Sequence, residues 1–136
     1  MVPVPDQECV QVHFEQLCED NEATNPKVIH VENLQQKDLP NFGNDIYAVL
    51  LLGQQEISKF KESAKNLVNI YMCLIRLPSV TTDIIITFND PVLVNPQSSS
   101  KPDSVTSSLE EVQAHVLLFK SMLRSFKIED WSLFGQ

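Results

Sequence analysis

Six carboxylates fall within the first 22 residues, Asp6, Glu8, Glu15, Glu19, Asp20 and Glu22, with no Lys or Arg among them. Such a series has two uses. It is either a solvated loop that keeps the chain soluble, or a docking surface whose charge raises the encounter rate with a basic partner. On the second reading Asp6, Glu8, Glu15, Glu19 and Asp20 are the candidate partner-binding residues. Cys9, His13, Cys18 and His30 lie close by in sequence and are all capable of ligating a metal. Zinc sites usually hold ligand pairs on short loops such as Cys-x-x-Cys. The spacings here fit no such pattern, so ordinary thiols and surface histidines are expected, and no metal. Cys73 and His115 each sit inside an apolar-periodic segment, a poor setting for nucleophilic catalysis. Nothing singles out a carboxylate pair for acid–base work. The three glycines form neither Gly-x-x-x-x-Gly-Lys nor Gly-x-Gly-x-x-Gly, and there is no Gly-x-Ser-x-Gly elbow. No catalytic residue and no cofactor is expected.

The elements that must position these residues belong to one domain spanning residues 1–136, long enough to bury a hydrophobic core. Hydrophobic residues make up 43% and charged residues 21%, near globular averages, so disorder is not the default. The net charge of −8 argues against nonspecific nucleic-acid binding, which needs clustered Lys and Arg. No apolar run approaches the roughly 20 residues of a membrane span. The N-terminus lacks a basic and then apolar leader, and three irregularly spaced cysteines suggest reduced thiols in the cytosol or nucleus.

The residues up to Pro5 read as extended. Val10, Val12 and Phe14 alternate with Gln11 and His13, which predicts a half-buried strand over Cys9–Phe14, with Cys9 and His13 on one face. Glu19–Pro26 reads as an acidic loop, Lys27–Val31 as a short strand and Leu34–Asn44 as a connection. Ile46–Leu52 is a strand ending at Gly53. Ile57, Phe60, Ala64 and Leu67 are spaced as on a helix, so Gln54–Asn66 taken alone is an amphipathic helix. Leu67–Leu77 is an apolar β-rich run closed by Pro78, and Ser79–Thr82 can turn the chain. Asp83–Phe88 holds three consecutive isoleucines, which predicts a central strand buried on both faces, stopped at Asn89-Asp90-Pro91. Asn95–Ser108 is a Ser- and Pro-rich surface loop. A helix then starts at Ser107 or Ser108, each with Glu three residues later. Its stripe is Val105, Leu109, Val112, Val116, Phe119, Leu123 and Phe126. The tail Trp131–Gln136 is apolar enough to dock on the body.

His13-Phe-Glu15, the run through Leu52-Gly53-Gln54-Gln55, Leu74-Ile-Arg-Leu-Pro78 followed by Thr82-Asp83-Ile-Ile-Ile-Thr-Phe-Asn89, and Ser132-Leu-Phe-Gly135 together resemble the Ran guanine-nucleotide-release-factor family. Val4-Pro-Asp-Gln-Glu8 resembles the family's Val-Pro-Asp-x-Gln-Glu motif, one residue short. The resemblance implies an α+β fold: an antiparallel β-sheet meander flanked by helices, similar to a photosystem II extrinsic subunit, with a C-terminal amphipathic helix. It also implies that Gln54–Asn66 extends the meander instead of forming a helix. Implied partners are the small GTPase Ran, whose nucleotide such proteins release, and a voltage-gated sodium channel delivered to the cell surface. A monomer acting in nucleus and cytoplasm is implied too. By motif, Asp6 and Glu8 carry over as Ran contacts, supported by Glu15, Glu19 and Asp20. Their carboxylates could compete for the nucleotide's magnesium or for a P-loop lysine. The family's N-terminal Gly-Gly-Ala strand and its Ile-Val-Glu-Leu-Leu helix have no counterpart here. An uncovered sheet edge, reduced stability and a tendency to associate are the expected consequences.

Overall fold

The computed structural model describes residues 5–43, 45–57, 66–93 and 109–134. Helix α1 (Asp6–Asp20) comes first, followed by strands β1 (Thr24–Asn33), β2 (Tyr47–Ile57), β3 (Asn66–Leu77) and β4 (Thr82–Leu93), and then helix α2 (Leu109–Ser125). The strands pair antiparallel in the order β1-β2-β3-β4, a meander. The class is α+β with a C-terminal helix, as the resemblance implies.

Successive side chains of a strand point to opposite faces, and here both faces are covered. Val49, Leu51, Ile70, Met72 and Leu74 pack beneath Cys9, Val10, Phe14 and Cys18 of α1. Leu50, Leu52, Tyr71, Cys73, Ile75 and Leu77 pack beneath Phe119 and Leu123 of α2. That is why β2 and β3 read as continuous apolar runs. At Gly53 the Phe14 ring of α1 lies directly against the sheet backbone. A Cβ there would lie 2.4 Å from Phe14 Cζ, so the glycine makes room for the Phe14 ring.

Four expectations need correction. Cys9–Phe14 is not a strand but the middle of α1. Val10, Phe14 and Cys18 recur every four residues, and a six-residue window could not separate that period from alternation. Glu19 and Asp20 belong to the same helix, and the turn that follows is tight, with Glu22 at positive φ, as is Asn25 at the irregularity near the start of β1. Asp83–Phe88 lies not in a central strand but in edge strand β4. Ile84 and Ile86 pack toward α2, while Ile85 on the other face is 36% exposed. The strand also continues past Asn89-Asp90-Pro91 to Leu93, because an edge strand tolerates proline. Finally, β2 runs through Gly53 to Ile57, so the first part of Gln54–Asn66 extends the sheet and is not helical. Residues 58–65 lie outside the described residues.

Helix α2 buries Phe119 and Leu123 and half-buries Val112, Val116 and Phe126, the expected stripe. Its Ser107 and Ser108 caps, Val105 and the loop before them lie outside the described residues. At its C-terminal end, Asn41 Nδ2 donates to the carbonyls of Arg124 and Phe126, each at 3.2 Å. Phe42 stacks on Phe126 (5.8 Å between ring centroids) and meets Trp131 edge-on (6.4 Å). The tail therefore docks as its composition implied, through a short 3-10 turn at Trp131–Phe134. No helix among the described residues is long and apolar enough to cross a membrane.

Candidate partner-docking face and the ion network beneath it

Helix α1 presents two different surfaces. An α-helix turns once every 3.6 residues, so Glu8, Glu15 and Glu19, offset by seven and four positions, share one face. All three are exposed, on the side opposite Val10 and Phe14. Over 11 residues at 1.5 Å each, they span about 16 Å of helix. Val12, 39% exposed, lies alongside them. Asp6 and Asp20 flank this stripe at the two ends of the helix. Asp6 and Glu8 also sit in the first turn, where negative charge favours the helix dipole. Asp20 Oδ1 accepts from Gln16 Nε2 at 2.9 Å.

The inward edge of α1 meets a buried charge. Arg76 is the single charged residue of β3, and its side chain is 6% exposed. It pairs in register with Asp83 on β4. Its Nε donates to Asp83 Oδ1 at 3.0 Å, and its Nη1 donates to Asp6 Oδ1 at 2.8 Å. Arg76 thus ties the start of α1 to the sheet. The Asp83 hydrogen bond, set against the penalty of burial, holds its guanidinium protonated more firmly than usual. Burial opposes ionisation of Asp83, but the hydrogen bond and charge of Arg76 prevail and hold the carboxyl below its ordinary value. Cys9 Sγ donates to Asp83 Oδ2 at 3.5 Å. Burial, and then the Asp83 charge, push that thiol up to about 11. His13 Nε2 is 3.5 Å from the same Asp83 oxygen without the alignment of a hydrogen bond. His13 and Cys9 do share a face, as the sequence reading expected, but it is a helix face.

The α2 side is built otherwise. His115 Nδ1 lies 2.9 Å from Asp90 Oδ2, and its ring meets Tyr71 and Phe88 edge-on. Lys120 Nζ donates to Glu32 Oε2 at 2.7 Å, tying α2 to β1. Cys73 is fully buried, and burial pushes its thiol up to about 12, so it packs instead of reacting. An open groove lined by Ile29, Leu52, Val112, Val116 and Leu117 runs between β1 and α2.

The structure collects Glu8, Glu15 and Glu19 on one face and sets Asp6 and Asp20 at its ends. It also reveals a network around Arg76 to which the sequence reading gave no role. The available signal was an arginine inside an apolar strand, followed seven residues later by an aspartate near the start of the next strand.

Residues 1–91, from α1 into β4, match the family described as Ran-interacting Mog1 protein. The chain belongs to the Mog1 family. A Danio rerio protein named Ran guanine nucleotide release factor is 38% identical over 135 residues, covering 97% of this chain and 71% of the relative. A Dictyostelium discoideum protein named "Probable ran guanine nucleotide release factor" is 41% identical over 129 residues, 92% of this chain and 66% of its own length. The Homo sapiens protein named Ran guanine nucleotide release factor is 30% identical over 112 residues, 80% of this chain and 58% of its own length. This Mog1-family chain spans about two thirds of the length of the first two.

Proposed function

We propose that this chain binds the GTPase Ran through the outer face of α1 and promotes release of its guanine nucleotide, as a regulator and not as an enzyme. The observation that carries the reading is the exposed line Glu8, Glu15 and Glu19 on a helix anchored by Arg76, in a chain of the Mog1 family. An acidic stripe on a fixed helix suits a basic partner, because its charges need no ordering on contact. Carboxylates brought to the nucleotide pocket would compete for magnesium or for a phosphate-binding lysine and so loosen the nucleotide. Asp6 and Asp20 are marginal contacts, since Asp6 spends one oxygen on Arg76. In this reading the protein works as a monomer in nucleus and cytoplasm and serves nuclear transport.

Release of a fluorescent guanine nucleotide from Ran, with and without the chain, tests this directly. Accelerated release supports the proposal. Ran binding without release would assign the chain to an adaptor role, of which delivery of a voltage-gated sodium channel is one form. Absence of Ran binding by the folded chain would refute both.

A further inference from the structure

Three donor atoms of different chemistry converge beneath α1. Cys9 Sγ and His13 Nε2 each lie 3.5 Å from Asp83 Oδ2, and all three atoms lie within 4.8 Å of one another. Ligands bound at zinc's usual distances in a tetrahedron are about 3.3–3.7 Å apart. Two of the three edges therefore already have ligand spacing. We propose that Cys9, His13 and Asp83 form a binding site for one zinc-type divalent cation, separate from the docking face and independent of the Ran reading.

The fold supplies this triad without a short-loop motif. Cys9 and His13 are four residues apart on α1, so one turn stacks them over the same spot of the sheet. Asp83 comes from the start of β4, 70 positions beyond His13. Arg76 holds both of its oxygens, Nε donating to Oδ1 at 3.0 Å and Nη2 more distantly to Oδ2 at 3.4 Å, and Oδ2 is the oxygen that faces Cys9 and His13. An outer partner that fixes a ligating carboxylate in this way is a recurrent feature of metal sites. His13 Nε2 is buried and makes no hydrogen bond, a cost that coordination removes. Thiolate, imidazole and carboxylate together suit zinc or cobalt better than magnesium or calcium. Three protein ligands leave a fourth position for water.

Charge also balances. The two carboxylates Asp6 and Asp83 outweigh the guanidinium of Arg76 by one negative charge. Binding a dication forms a metal–sulfur bond, breaks the Cys9 S–H bond and releases that proton to solvent, so the dication meets compensating negative charge.

The full-length chain, stripped with a chelator, should be titrated with cobalt(II). The expected result is one equivalent bound, a near-ultraviolet sulfur-to-cobalt charge-transfer band, tetrahedral visible absorption, displacement by zinc and a raised melting temperature. Cys9→Ser should abolish the charge-transfer band, and His13→Gln should lower cobalt affinity by more than about tenfold. Both side chains contact Asp83, but neither supplies its salt bridge to Arg76, so both variants should show a wild-type circular dichroism spectrum. Cys18→Ser should keep the band. A folded wild-type chain with no band in excess cobalt overturns the site, as does a band that survives Cys9→Ser or is lost in Cys18→Ser.

Discussion

Replacing Arg76 with Met separates the ion network from the packing around it. The substitution keeps an unbranched apolar stem in β3 but leaves Asp83, whose side chain is 5% exposed, without its cation. Removing one partner of a buried ion pair costs about 3–5 kcal/mol, because the remaining charge stays desolvated. The low end applies here, since the Cys9 thiol still donates to Asp83. Asp6, with a side chain 52% exposed, returns to water and adds little. For 136 residues, an unfolding entropy of about 2.1 cal/mol/K per residue converts about 3 kcal/mol into a Tm loss of roughly 10 °C. The pH dependence carries a sign. In the wild type the Asp83 carboxyl lies below its unfolded value, so its stabilisation is present above the ordinary carboxylate range and is lost as pH falls through the lowered folded value. In the variant, burial, the largest influence on Asp83, is opposed only by the weaker contacts of Cys9 and His13 and raises the folded value above the unfolded one. The penalty is then present near neutrality and relieved on acidification. Urea titrations of both proteins at about pH 7 and about pH 5 should therefore show the gap narrowing at the lower pH. Adding Asp83→Asn to Arg76→Met should recover at least about 1 kcal/mol. A gap below about 1 kcal/mol, or one that ignores pH, would show that this network contributes nothing beyond packing.

Gly53→Ala should destabilise by about 1–3 kcal/mol, because the new Cβ collides with the Phe14 ring. Phe14→Leu in the same chain should return part of that in calorimetry, whereas an unchanged Tm for Gly53→Ala would mean the helix does not sit so close to the sheet. Charge reversal at Glu8, Glu15 and Glu19 together should slow association with Ran by about tenfold or more at low salt, with the difference shrinking as salt rises. Stopped-flow binding at several ionic strengths checks this, and equal rates would remove α1 from the interface. Cys9, Cys18 and Cys73 are all buried, and burial, the foremost cause at each, pushes Cys9 to about 11, Cys73 to about 12 and Cys18 also upward. A thiol reagent should therefore label the native, metal-free chain slowly at mildly alkaline pH and all three sites promptly in denaturant. Fast stoichiometric labelling of the native chain would contradict the packing of α1 and β3.

Much of the fold was legible because its signals are long. The stripe from Val112 to Phe126 holds one period over four turns, and it sits on the sheet as expected. The apolar runs of β2 and β3 are continuous because α1 covers one face and α2 the other. The isoleucines of β4 carry the same local signal, yet one of them faces out. Composition reports that a strand is apolar, but strand order decides whether its second face finds a partner. Gln54–Asn66 shows the converse. Its helical spacing is real, but the side of it that includes Gln54 is claimed by pairing with β3, where Gln54 Nε2 donates to Asn69 Oδ1 at 2.8 Å.

The candidate site was legible in composition and not in geometry. Six early carboxylates are visible in any reading of the chain. That Glu8, Glu15 and Glu19 form one line depends on α1 being a helix, and read as a strand over Cys9–Phe14 they would have no common face. The same change of period carries Cys9 and His13 to Asp83. Separated by four residues on a strand, they would stand about 13 Å apart. On a helix they are one turn apart, within reach of a single carboxylate oxygen. The apolar face of Cys9, Val10, Phe14 and Cys18 decides which way that helix faces. With that face packed on β2 and β3, the glutamates point to solvent and Cys9 and His13 point to the sheet, and Arg76 ties the helix start to β3 through Asp6 at 2.8 Å. One buried face thus orients the helix that carries both proposed surfaces.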